Sequence, residues 1–83
     1  MRILVTGAAG MIGRKLCAKL AADGAIAGRA IEVVHLVDVA APAPPAGARF
    51  AALCEALDVA APSTAMKAIA ARPGVIFHLA AVV

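Results

Sequence analysis

The stretch Thr6-Gly7-Ala8-Ala9-Gly10-Met11-Ile12-Gly13 decides how the remaining residues are read, because it follows an apolar run, Ile3-Leu4-Val5, and opens a helical pattern. A strand passing through a glycine-rich turn straight into a helix puts three glycines, spaced G-x-x-G-x-x-G, under separate steric demands. Gly7 permits the sharp exit from the strand, and Gly10 lets a phosphate approach the main chain without meeting a β-carbon. Gly13 lets the helix pack closely on the sheet. A helix starting near Gly10 would aim its unpaired N–H groups and positive dipole end into one pocket, which suits a pyrophosphate. The same glycine pattern also occurs in ordinary tight turns, so flanking strand and helix and a second anchor further along must support it.

Working outward, Arg2 to Thr6 reads as a continuous apolar strand with a polar end, the signature of a central parallel strand covered on both faces. From Met11 to about Ala22, Ile12, Leu16, Cys17 and Leu20 recur at helical spacing, while Arg14, Lys15 and Lys19 fall mostly on the other side. That pattern predicts an amphipathic helix. Asp23-Gly24 signals its end, and the loop through Gly28-Arg29 is slightly long for a helix-to-strand connection.

Ile31 to Val39 is the second predicted strand, rich in β-branched residues and ending in an acid, Asp38. An acid placed there, beyond a glycine turn and one helix, sits at the carboxyl end of the second strand, where its carboxylate accepts both ribose hydroxyls of an adenosine. A 2′-phosphate would be repelled by Asp38, and Val39-Ala40-Ala41 offers no arginine to neutralise it, so NAD is expected over NADP. The bland alternative is a solvated strand-end acid. His35, alone in an apolar strand, is expected to be packed or hydrogen-bonded and is given no chemistry.

Residues 40–48, with Pro42, Pro44, Pro45 and Gly47, do not suit a regular helix, because proline removes donors and restricts the residue before it. They predict an extended surface crossover, short for a parallel connection and without the customary helix. Phe50 to about Leu57 is expected to be the third strand, with helix as the competing reading. Asp58-Val59 would then stand at its carboxyl edge, where the acid reaches an adenine amino group and the valine flanks the ring; a loop acid or a helix N-cap fits Asp58 nearly as well. Pro62 or Ser63 opens a second predicted helix, with Met66 and Ile69 in the core, stopped at Arg72-Pro73-Gly74. Val75 to Ala81 is the fourth strand and its exit, where small residues leave room for a flat ligand. His78 is expected to support the strand end by a hydrogen bond.

Composition narrows the setting. At 83 residues the chain amounts to at most one domain or part of one, and its 64% hydrophobic and 2% aromatic content predicts that more protein covers it. The net charge is +3, and Arg14-Lys15 is the one adjacent basic pair, so no nucleic-acid-binding stripe is present. Cys17 and Cys54 lack metal-site spacing and partner histidines, which predicts buried thiols in a reducing, cytoplasmic setting and no metal site. Met1 leads directly into a strand, leaving no room for a signal peptide, and no apolar run is long enough to span a bilayer. A soluble protein without a membrane partner is expected.

Three matches now stand in one order: Thr6-Gly7-x-x-Gly10-x-x-Gly13, then Asp38, then His78-Leu79-Ala80-Ala81. Together they resemble the N-terminal part of the extended short-chain dehydrogenase/reductases, the NAD-dependent epimerase/dehydratase family. Residues 7–16 and 77–83 look closest to the D-erythronate dehydrogenase branch. The resemblance implies a Rossmann-like, doubly wound α/β fold with strand order 3-2-1-4, residues 1–83 being the N-terminal part of an NAD-binding domain. It further implies that Gly7, Gly10, Met11, Ile12 and Gly13 hold the pyrophosphate, Asp38 the adenine ribose, and Asp58 and Val59 the adenine. Leu79, Ala80 and Ala81 would line the way to the nicotinamide.

The implied activity is that of an NAD-dependent oxidoreductase acting on a CH–OH group of a sugar acid. A nucleotide-sugar epimerase or dehydratase shares this half, and a non-catalytic nucleotide-binding module or a truncated gene product are the readings from other classes. The family's acid/base tyrosine, its neighbouring lysine and its serine have no counterpart here: the 83 residues contain no tyrosine, and the resemblance places that set beyond Val83. No catalytic residue is therefore assigned. Two positions depart from the family pattern, Leu57 where glycine is common and Gly74 where an aspartate often precedes the fourth strand.

Overall fold

The computed structural model describes residues 1–57 and 72–79. Strand β1 (Arg2–Thr6) is buried at four of its five positions, as its uninterrupted apolar run requires. Helix α1 (Met11–Asp23) follows and ends on Gly24, whose left-handed φ of 67° lets its N–H reach the Leu20 carbonyl. Gly13, Cys17, Leu20 and Ala21 form the buried face of α1, whereas Ile12, expected on that face, is exposed. The close approach at Gly13 fixes how the helix is turned, and it leaves Ile12 on the rim.

The segment expected to be a plain loop after α1 is instead a hairpin of β2 (Ala25–Ile26) and β3 (Arg29–Ala30), paired antiparallel. Its two turn residues, Ala27 and Gly28, both have positive φ, 52° and 79°, the geometry whose twist matches the flanking strands. Strand β4 (Val33–Asp38) begins two residues later than expected. Ile31 stays outside the ladder, its N–H on the Gly24 carbonyl and its side chain in the core.

Residues 39–50 carry no helix or strand, as their prolines predict, and Pro42 and Phe50 are buried within that crossover. Strand β5 (Ala51–Ala56) resolves the strand-or-helix alternative in favour of the strand, and β6 (Val75–His78) completes the sheet. All four long strands are parallel in the order β5-β4-β1-β6. Counted along the chain that is 3-2-1-4, the Rossmann-like α/β arrangement expected. The second predicted helix, with Asp58, Val59, Ala80 and Ala81, lies outside the described residues.

Register decides where the core sits. Ile3 and Val5 on β1 share a face with Val34 and Leu36 on β4, and α1 covers that face with Cys17, Leu20 and Ala21. Each such large side chain withdrawn from water contributes about 1.5–3 kcal/mol. Leu4, His35, Leu53 and Ile76 are partners on the opposite face, where Leu53 and Ile76 remain exposed. Among the described residues no helix is long and apolar enough to cross a membrane.

Candidate functional site

The carboxyl ends of β1, β4 and β6 meet the start of α1. The chain leaves β1 through Gly7 at φ 72°, a conformation that an L side chain rarely takes. The turn then closes on itself and on β4: Ala8 N–H donates to the Val37 carbonyl (3.2 Å), and Gly10 N–H to the Gly7 carbonyl (3.2 Å). Ala9 N–H donates to Asp38 Oδ2 at 2.9 Å. The second anchor read in the sequence therefore lies beside the first.

The helix opens without protection. Gly10 is its N-cap and supplies no side-chain hydrogen bond, and the first turn contains no acid. The first bond of the helical ladder runs from Arg14 N–H to the Gly10 carbonyl, 2.9 Å. The N–H groups of Met11, Ile12 and Gly13 precede it and have no acceptor within the helix. They lie at the positive end of the α1 dipole, where an anion is stabilised.

The two later glycines have different physical grounds. A β-carbon on Gly13 would stand 2.3 Å from the Gly7 carbonyl oxygen and 2.8 Å from the Ala8 α-carbon, so packing alone excludes any side chain there. A β-carbon on Gly10 would meet only the Gly7 carbonyl oxygen, at 3.4 Å, an ordinary contact, and its φ of −73° suits any residue. Neither packing nor backbone strain within the described residues demands glycine at position 10. Glycine there leaves the main chain bare beside the start of α1.

Asp38 is half-buried. Its Oδ1 accepts the Val39 N–H at 2.7 Å and its Oδ2 the Ala9 N–H. A carboxylate has about four lone-pair directions, so one on each oxygen is left, enough for a pair of neighbouring hydroxyls. The donor set and the acceptor beside it fit a dinucleotide: Met11, Ile12 and Gly13 could hold the diphosphate, with Gly7 and Gly10 shaping its cradle, and Asp38 the ribose.

At the neighbouring strand end, Thr6 Oγ1 and His78 Nδ1 share a hydrogen bond of 2.7 Å, and Leu79 N–H donates to the Thr6 carbonyl at 3.1 Å. These bonds join β1 to β6, the supporting place expected of His78, with Leu79 half-buried against the core. Thr6 had no assignment from sequence; its signal was its position as the polar end of an apolar strand.

His35 is likewise engaged, its Nε2 at 2.6 Å from Glu55 Oε1. Burial pushes the Cys17 thiol up from its ordinary value, with Cys54 adding to the rise, and burial raises Cys54 too. Both cysteines are free thiols, Cys17 buried as expected and Cys54 only half-buried because it lies on the outermost strand β5. Among the described residues no group of three or more His, Cys, Asp or Glu side chains could hold a metal ion.

The model of the NAD dependent epimerase/dehydratase family matches residues 3–83. Comparison with curated proteins finds no match. Among solved structures, the chain is similar to the nucleoside-diphosphate-sugar epimerase from Agrobacterium tumefaciens, at 49% identity and a TM-score of 0.95, over 100% of this chain and 24% of that one. It thus spans about a quarter of that protein's length. Since the family model covers nearly every residue, the chain belongs to the NAD dependent epimerase/dehydratase family.

Proposed function

We propose that residues 1–83 form the N-terminal part of an NAD-binding domain. The reaction of the complete enzyme begins with oxidation of a sugar carbinol by hydride transfer to nicotinamide. The observation that carries this is the juxtaposition of three N–H groups without helical acceptors, at Met11, Ile12 and Gly13, with a bare Gly10 and the Asp38 carboxylate. The amides and the helix dipole hold the diphosphate, and Asp38 receives the ribose hydroxyls. Leu79, Ala80 and Ala81 follow β6 toward the nicotinamide, and Asp58 with Val59 serve the adenine. NAD is preferred over NADP because a 2′-phosphate would face the Asp38 carboxylate.

A nucleoside-diphosphate sugar is the substrate class we favour, in place of a sugar acid. The 49% identical relative carries that substrate in its name, whereas the D-erythronate dehydrogenase reading rests on two short stretches. The experiment is titration of this chain with NAD and NADP, followed by calorimetry. Binding of NAD at least about tenfold tighter than NADP is the expected result, equivalent to about 1.4 kcal/mol; failure to bind either removes the nucleotide reading. For the substrate, the complete enzyme given nucleoside-diphosphate sugars is expected to invert or dehydrate a sugar carbon by NMR, and turnover of D-erythronate alone would restore the sugar-acid reading.

A further inference from the structure

We infer that Asp38 is a positioning residue for the glycine turn, and that through it diphosphate binding depends on the same side chain that reads the ribose. The inference rests on the nucleotide reading above. The turn from Gly7 to Gly10 has only small residues; Ala8 is packed into the core and against Gly13, whereas Ala9 and Gly10 are not buried. Among the described residues three hydrogen bonds hold the turn itself, one internal, from Gly10 to Gly7, and two to the end of β4, from Ala8 to the Val37 carbonyl and from Ala9 to Asp38 Oδ2, while Arg14 N–H on the Gly10 carbonyl ties its far end into α1. The bond to Asp38 is the shortest of the three and ends on a carboxylate, which makes it the strongest kind available to a main-chain N–H. Val39 N–H on Oδ1 fixes the carboxylate plane so that Oδ2 faces the turn.

The consequence is coupling within one site. A turn already held open presents the amides of Met11, Ile12 and Gly13 without a further ordering cost when the anion arrives. Changing Asp38 removes the ribose acceptor and the tether together. A single substitution there weakens both dinucleotides and does not exchange NAD preference for NADP preference.

Inorganic pyrophosphate separates the two roles because it has no ribose. If Asp38 only reads ribose, Asp38→Ala leaves pyrophosphate affinity unchanged or raises it, since a negative charge near the anion is lost; that result overturns the inference. With the tether, Asp38→Ala weakens pyrophosphate binding about tenfold, and Asp38→Asn, which keeps one acceptor oxygen, weakens it less. Amide hydrogen exchange gives the second measurement. Ala9 N–H is expected to be protected in the nucleotide-free wild type and unprotected in Asp38→Ala. Should that variant fail to fold, wild-type Ala9 exchanging as fast as an unstructured alanine would itself overturn the tether. If the wild type binds neither NAD nor pyrophosphate, the nucleotide reading fails, and Ala9 exchange alone decides the tether.

Discussion

The two ends of the sheet both close main chain on main chain but use their glycines differently. At the amino end the main chain closes on itself: Glu32 N–H on the Met1 carbonyl, Ala51 N–H on Glu32, Gly74 N–H on Arg2 and Ile31 N–H on Gly24. Glycines there, Gly24 and Gly28, have positive φ and nothing within 4 Å of where a β-carbon would stand, so they serve chain direction. At the carboxyl end Gly13 is hemmed in by the turn, Gly10 meets no described atom that would bar a methyl group, and the opening turn of α1 leaves N–H groups without acceptors within the helix. The difference teaches that glycines in one chain answer separate demands, chain direction at Gly24 and Gly28 and close packing at Gly13, and that Gly10 is the position neither demand explains.

The largest effect that would sharpen this contrast is at Gly13. Gly13→Ala should destabilise the fold by about 3 kcal/mol, the upper end of ordinary overpacking, although alanine is the better helix former. Chemical denaturation measures it, and an unchanged midpoint would refute the close approach. Gly10→Ala comes next and acts on binding. Stability should fall by no more than about 1 kcal/mol, the scale of a helix cap, while NAD affinity drops roughly tenfold or more; equal affinity by calorimetry would break the phosphate assignment. The smallest effect belongs to the other end. Ala27 holds φ 52° in the hairpin turn, and Ala27→Asn, giving the Asn-Gly pair such turns favour, should raise stability by about 0.5–1 kcal/mol. NAD affinity should not move, since the hairpin is remote from the carboxyl end.

Much of this was legible from residue order. Ile3-Leu4-Val5 announced a buried parallel strand, the proline-rich 40–48 announced a crossover without helix, and the glycine spacing with Asp38 brought two distant stretches to one place. Two features were hidden. The β2–β3 hairpin turns on Ala27 in a left-handed conformation that alanine disfavours, so local preference pointed away from it. The bond from Ala9 to Asp38 uses a main-chain N–H, which every residue but proline possesses, so no residue type reveals it. Ile12 was assigned to the wrong face of α1 because helical spacing counts apolar residues and does not register the glycine that sets the rotation.

The bond between Thr6 and His78 joins positions 72 apart in the chain, whereas β1 meets β4 after roughly half that separation. Each doubling of a closing loop adds about 0.6 kcal/mol of entropic cost, so bringing β6 to β1 directly costs about that much more than bringing β4 to it. The seam between β1 and β6 is thus joined at that entropic cost, and the bonds of Thr6 to His78 and of Leu79 to Thr6 act as its latch.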